Sequence, residues 1–328
     1  MISTLLTIAA ATAILTYIII ILEKKAGLVA PDVHKPDKPL IPKTAGPALM
    51  LSFIIGYIIV CILVKDVPNY VHVHVAAILI GGIIGLIDDF TSLNAIVKFA
   101  LAALPAIPVI IFGAYSPYPY VPGIGVLRIT LVYPVALLLA YSVGGNGMNM
   151  SDTHNGLVPT IMGFYLMAIG MMTVYFSNRS VDGFPYLYII SAGLVLGYLW
   201  FNLYPAKIFN GNAGSYMFGT MLVSLAITSR LEFFSILALA PFFLNGFNIL
   251  TSIKGLRNKE LLRVRPTVVT DDGCIKANVS EEAPITLVQL LTLKRCLKEP
   301  ELIASYNLLY ILSFILAAAT YILLDTFV

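Results

Sequence analysis

"VHVHVAAILIGGIIGLIDDFTSLNAIVK", residues 71–98, decides the architecture. Residues 71–87 contain no charge and no proline, and as a helix they extend about 25 Å, close to the roughly 30 Å of a bilayer's hydrocarbon core. The run then stops in Asp88-Asp89, and Lys98 follows nine residues after the second aspartate. A helix C-terminus is the wrong end for anions, because the macrodipole is negative there. One explanation is that both aspartates are solvated interfacial residues. The other is a nearby cation: Mg²⁺ takes a few carboxylates plus substrate phosphates. If residues 93–98 are helical, Lys98 adds a further positive charge to the same place.

The same pattern recurs along the chain. Its 328 residues are 59% hydrophobic and only 11% charged, with mean hydropathy +0.91, against about 25% charged residues in soluble domains. Apolar runs lie at about 2–22, 47–64, 71–87, 97–114, 129–145, 157–176, 185–203, 214–229, 232–252 and 303–324. They predict an all-α polytopic membrane protein of about ten transmembrane helices forming one domain, residues 1–328. Helices are the expected solution because lipid offers no partner for free backbone groups. The first run lacks a basic leader and a small-residue cleavage site, so it is expected to stay as a span. Cys61, Cys274 and Cys296 follow no metal or disulfide spacing and receive no role. The net charge of +3 says little, and no nucleic-acid partner is expected.

With the N-terminus outside, the segments after the first, third, fifth, seventh and ninth runs are cytoplasmic. Sixteen of the 20 Lys and Arg residues then lie inside, and only Lys65, Arg128, Arg179 and Arg230 outside, as the positive-inside rule requires. Nearly everything polar and unusual is on that inner side. Prolines 31, 36, 39 and 42 forbid a continuous helix in "EKKAGLVAPDVHKPDKPLIPKTAG". That segment either anchors to anionic head groups or belongs to a phosphate site. "GGNGMNMSDTHNGL", residues 144–157, is expected as a polar loop containing Asn146, Asn149, Asp152, His154 and Asn155. His154 is a general base or simply a hydrogen-bonding residue. In "FNLYPAKIFNGNAGSYMFG", Pro205 stops a span and Gly211 and Gly214 allow a tight turn. The following helix N-terminus is a ready anion site, although no P-loop pattern is present.

Between the last two runs, residues 253–302 form the only sizeable extramembrane insertion. "LLRVRPTVVTDDGCIKANVS" predicts a short hairpin with Arg263 and Arg265 on one strand face, suited to phosphate. "ITLVQLLTLKRCLKEPELI" predicts an amphipathic interfacial helix. Inner carboxylates, an asparagine-rich loop, a glycine turn and an arginine pair are the components of metal-assisted phosphoryl transfer at a membrane surface.

Three of these segments resemble one family. "GLIDDFTSLNAIVK", "NGMNMSDTHNGL" and "FNLYPAKIFNGNAGS" are similar, in order, to motifs of the polyprenyl-phosphate N-acetylhexosamine-1-phosphate transferases, glycosyltransferase family 4. "DVHKPDKPLIPKTAG", "RVRPTVV" and "ITLVQLLT" resemble the dolichyl-phosphate branch, and the short loops resemble its archaeal members.

The resemblance implies transfer of GlcNAc-1-phosphate from UDP-GlcNAc to polyprenyl or dolichyl phosphate, giving GlcNAc-diphosphate-lipid and UMP. That reaction is the first step of lipid-linked oligosaccharide synthesis for N-glycosylation. It needs Mg²⁺, with Mn²⁺ as an alternative, and takes place at the cytoplasmic face of the cell membrane. Carried over by position, Asp88, Asp89 and Lys98 are catalytic. Asn149, Asn212 and Asp89 hold the metal. Lys35, Asn146, Asp152, His154, Asn155, Phe201, Asn202, Arg263 and Arg265 bind substrate. A homodimer is left open. One departure stands out: Asn212 replaces the family's metal-binding Asp and removes a negative charge, for which Asp152 could compensate. Alternatives are another UDP-HexNAc donor for cell-surface polysaccharide, an ion- or proton-coupled transporter, and a catalytically dead lipid-phosphate binder. A transporter site is expected near the bilayer midplane on broken helices, whereas the charges here lie at span ends.

Overall fold

The computed structural model describes residues 1–91, 93–176, 180–252 and 264–326. Every apolar run falls on helix. The helices are α1 (Ile2–Ala26), α2 (Gly46–Leu63), α3 (Asn69–Thr91), α4 (Ala95–Leu101), α5 (Ala106–Ile111), α6 (Tyr133–Ser151), α7 (Leu157–Tyr175), α8 (Phe184–Asn202), α9 (Gly211–Ser229), α10 (Glu232–Ala238), α11 (Ala240–Ser252), α12 (Leu287–Thr292) and α13 (Glu299–Asp325). By length and composition α1, α2, α3, α7, α8 and α13 are fit to cross a membrane. The bent pair α10–α11, broken by 66°, makes a seventh.

The protein is therefore a multi-pass helical membrane protein, but its ten apolar runs are not ten uniform spans. The run at 97–114 is divided into α4 and α5, with Pro105 between them and Pro108 inside the second, because proline removes a backbone donor and breaks a helix. The run at 129–145 begins later, at Tyr133-Pro134, and continues to Ser151.

α9 is the central element. Ala213–Ser229 are buried throughout, and α3, α6, α2, α7 and α8 pack around them. Small residues permit this. A Cβ on Gly219 would collide with the Gly144 backbone of α6, and one on Gly85 of α3 with the Asn212 carbonyl. Small residues at helix interfaces let backbones approach where burial of apolar surface from water gives no help. The threonine hydroxyls of α9 are satisfied within it: Thr228 donates to the Ser224 carbonyl (2.8 Å) and Thr220 to that of Tyr216 (3.0 Å).

Three small sheets cover the helix ends. β1 (Val29–Pro31) and β2 (Leu40–Pro42) form an antiparallel ribbon from the proline-rich first loop. β3 (Tyr120–Val121) pairs β4 (Gly125–Val126). β5 (Thr267–Val269) and β6 (Cys274–Ala277) form the expected hairpin, turning through Gly273 at φ 76°. A further strand, β7 (Leu297–Lys298), pairs with β6.

The long amphipathic helix expected from "ITLVQLLTLKRCLKEPELI" is not formed. Helix α12 stops at Thr292, and Cys296 is joined to Cys274 by a disulfide. That bond and the Leu297–Ile275 pairing draw the chain into the sheet before α13 begins at Glu299-Pro300. The two cysteines given no role from spacing thus share one.

Gly85→Ala should lower the thermal midpoint of the detergent-purified protein, by an amount corresponding to about 1–3 kcal/mol for overpacking against backbone. An unchanged midpoint would show that α3 and α9 can separate freely.

Candidate active site

The last turn of α3 brings Asp89 to the first turn of α9. Asp89 Oδ1 accepts from the Asn212 amide (2.8 Å), and Oδ2 accepts from the Ala213 amide (3.1 Å) and the Thr44 hydroxyl (3.0 Å). First-turn amides have no partner inside their own helix and lie at the positive end of its dipole. The carboxylate at the unfavourable end of α3 is therefore at the favourable end of α9. Lys43 Nζ donates to the Asp89 backbone carbonyl (2.7 Å). Gly211, at φ 66°, turns the chain into α9, and a Cβ there would collide with Thr44. The anion site expected at this N-terminus exists, and the anion held by the Asn212 and Ala213 amides is Asp89.

Asp88, about 100° farther round α3, belongs to a different group. Its Oδ1 accepts from the Leu93 amide (2.9 Å) and its Oδ2 pairs with Lys98 Nζ (2.9 Å). Lys98 lies on α4, whose start is capped by Asn94 accepting from the Val97 amide (2.9 Å). The helix expected around Lys98 is present, and it delivers the lysine to Asp88.

A cavity of about 530 Å³ opens beside Asp89. Asn149, Asp152, His154, Asn155, Asn202, Asn212 and Arg265 also line it, with Asp32, His34 and Lys43. Asp152 Oδ1 accepts from Asn210 Nδ2 (2.8 Å) and its Oδ2 from Ser215 Oγ (2.6 Å). Asn202 accepts from the Gly156 amide (3.1 Å) and donates to the Ile208 carbonyl (2.8 Å). Asn155 Oδ1 accepts from Lys35 Nζ (2.8 Å) and the Ala206 amide (2.9 Å), and its Nδ2 donates to Asp32 (3.2 Å).

The other candidates are placed differently. Asp88, Lys98, Lys35, Asn146 and Phe201 are not among the lining residues. Asn146 lies on α6, not in a loop; its Nδ2 donates to the Ser142 carbonyl (2.9 Å) and its Oδ1 accepts from Tyr216 (2.7 Å). The polar stretch 144–151 is helical because its glycines let α6 pack closely on α9. Lys35 is enclosed by Asp32, Glu299 (3.2 Å) and Asn155. Burial opposes its charge, but the two carboxylates outweigh this and raise its pKa. The Phe201 ring lies under Lys207 Nζ at 5.7 Å. Arg263 lies outside the described residues. Arg265 is exposed and precedes β5 instead of sitting on it.

Sequence reasoning missed Thr44, Lys43, His34 and Glu299 as site residues. Thr44 precedes Gly46-Pro47, and Glu299 precedes Pro300; both places carry helix-start signals that could have marked them. His34 stacks on His154, with ring centres 4.1 Å apart and planes at 26°. Burial lowers the pKa of both. Asp32 opposes the shift of His34 while Arg265 and Lys35 reinforce it, and His34 and Lys35 reinforce that of His154.

The donor chemistry suits a hard cation. Asp89, Asp152, Asn149 and Asn212 supply carboxylate and amide oxygens to one cavity. Among the described residues no group of three or more His, Cys, Asp or Glu could hold a metal.

A multi-pass helical membrane protein with an oxygen-rich cavity at the ends of its helices is the class the fold defines. Residues 71–230, which contain the paired aspartates, the asparagine-rich stretch and the start of α9, match the model of glycosyl transferase family 4. Over those residues the chain is similar to this family. It is 28% identical, over 62% of its length and 63% of the relative's, to a Saccharolobus solfataricus protein. That relative is provisionally named UDP-N-acetylglucosamine–dolichyl-phosphate N-acetylglucosaminephosphotransferase. A similarly named Sulfolobus acidocaldarius protein is 28% identical over 66% and 67%. The phospho-N-acetylmuramoyl-pentapeptide-transferase of Bacillus subtilis is 24% identical over 72% and 76%.

Asp89→Ala should destabilise the purified protein by about 0.5–2 kcal/mol, the usual effect of removing a helix cap, read as a lower thermal midpoint; a wild-type midpoint would exclude the cap. For the histidines, a lowered folded pKa means that the unfolded chain binds more protons below about pH 6.5. Their contribution to stability is full above that pH and is lost as pH falls towards the folded values. Thermal midpoints should decline on acidification below about pH 6.5, and His154→Phe, which retains a stacking ring, should flatten the decline. An unaltered acid slope in that variant would assign the effect to other groups.

Proposed function

We propose that the protein transfers GlcNAc-1-phosphate from UDP-GlcNAc to a polyprenyl phosphate of the dolichyl type, giving GlcNAc-diphosphate-lipid and UMP. This would be the first step of lipid-linked oligosaccharide synthesis for N-glycosylation, at the cytoplasmic face of the cell membrane. The observation that supports it most is the cavity: carboxylates, amides and cations from six separate parts of the chain line one space at the ends of α3, α6, α8 and α9. The chain spans about 63% of the length of the Saccharolobus relative, whose name supplies donor and acceptor.

In this reaction a lipid-phosphate oxygen attacks the sugar-bearing phosphorus. A new P–O bond forms, the diphosphate P–O bond breaks, and UMP leaves with the electron pair. The second pKa of a phosphate monoester is about 6, so the nucleophile is already mostly dianionic near neutrality. The protein's main tasks are to offset repulsion between anions and to hold them in line. Lys43 and Arg265 bring positive charge to the cavity, and a guanidinium can bind phosphate through two parallel hydrogen bonds. Asn155 and Asn202 offer amides suited to a nucleoside base. A divalent cation, when bound by Asp89, Asp152 and the carbonyls of Asn149 and Asn212, would supply further charge neutralisation. The Asp88–Lys98 pair supports α3 from outside the cavity.

Purified protein with UDP-GlcNAc, polyprenyl phosphate and Mg²⁺ should release UMP, measured by chromatography across a panel of UDP-HexNAc donors. UMP release with a different donor would redirect the substrate assignment. No release with any donor would overturn the proposal.

A further inference from the structure

Glu299 lies near the end of the stretch expected as an amphipathic helix, outside the family-like motifs. It opens α13 and is only 3% exposed, and a carboxylate in the first turn is favoured there by the helix dipole. Its two oxygens reach two targets: Oε2 pairs with Lys35 Nζ (3.2 Å), and Oε1 accepts from the Asn155 amide (3.3 Å). Lys35 Nζ in turn pairs with Asp32, donates to Asn155 Oδ1 (2.8 Å) and lies 4.8 Å from the centre of the Tyr204 ring. Asp32 and Asn155 are buried to 2% and 4% exposure. Three distant parts of the chain, the first loop, the turn after α6 and the start of α13, thus meet around one ammonium group.

The consequence falls on Asn155, which lines the cavity. Its carbonyl oxygen accepts from Lys35 and from the Ala206 amide, and its NH₂ donates to Asp32. A flipped amide would set NH₂ against an ammonium and an N–H, so the orientation is fixed. An NH₂ group has two donors; the Asp32 bond uses one.

We infer that Glu299 is a positioning residue for the nucleotide donor. Through Lys35 and the Asn155 backbone, it fixes the Asn155 side chain so that the cavity is offered a hydrogen-bond donor and selects a ligand acceptor such as a base carbonyl. This rests on the proposed transferase reaction. Without Glu299, the Asp32–Lys35 pair has no second carboxylate, and the Asn155 backbone has no anchor on α13. The amide is then free to rotate or flip, and ground-state binding of the donor weakens while the reacting groups remain in place. A purely structural tether would alter stability without this selective loss.

The test measures donor KM and kcat, together with UMP affinity by calorimetry, on the full-length protein in detergent. Glu299→Gln should raise donor KM and the UMP dissociation constant about tenfold with kcat within about twofold, the pattern of lost ground-state binding. Lys35→Met should act in the same direction. The double variant should be no worse than the more affected single one, because both act through one amide. If Glu299→Gln cannot be recovered from membranes, Glu299→Asp, which keeps the charge but shortens the reach, should raise the same constants. Wild-type KM and UMP affinity in a folded Glu299 variant overturn the inference, as does a lowered thermal midpoint with KM unchanged. A wild-type protein that neither releases nor binds UMP overturns the transferase proposal, and this inference with it.

Discussion

The bond between Asp89 and the first turn of α9 sets the arrangement on which the rest depends. A membrane helix that ends in an aspartate pair has an electrostatic problem at its C-terminus, and a buried helix has unpartnered amides at its N-terminus. Joining α3 to α9 through Asp89 answers both with one carboxylate. It can do so only because Gly85 and Gly211 permit the close approach. Once α3 and α9 are fixed, α6 packs on α9 through its glycines, and the ends of these helices converge where the cavity lies.

Other buried carboxylates have cationic partners, some near in the chain and one far from it. Asp88 takes Lys98, and Asp32 and Glu299 share Lys35. Removing a single member of such a group leaves an uncompensated charge, which costs more than the pair gains. Many polar residues near the cavity therefore have two tasks. Asp152 receives Asn210 and Ser215, Asn202 holds the turn at Gly156, and Asn155 joins three segments. A cavity walled in this way is set before any ligand enters it, as electrostatic stabilisation of a charged transition state requires.

Much of this was legible in the sequence. The apolar runs mark helices because lipid leaves the backbone no alternative, and the polar stretches between them supply most of the cavity wall. The exceptions have physical causes. Residues 144–151 look like a polar loop, yet the glycines that weaken an isolated helix are what allow α6 to meet α9. Residues 285–303 have a helical pattern, but pairing with β6 and the Cys274–Cys296 bond divide them. Lys35, expected to bind substrate, is held between Asp32, three residues before it, and Glu299 at the start of α13.

By itself the sequence determined a helical membrane protein, its motifs and their order, and eight of the residues that meet at the cavity. Hydropathy is local, and motifs are read along the chain. Only the tertiary structure decided which carboxylate caps a helix and which pairs with a lysine, that Lys35 faces Asp32 and Glu299, and that Glu299 belongs to the site. The cap at Asp89 and the place of Glu299 depend on contacts between segments more than a hundred residues apart, where burial makes each charge seek whatever partner the fold brings near.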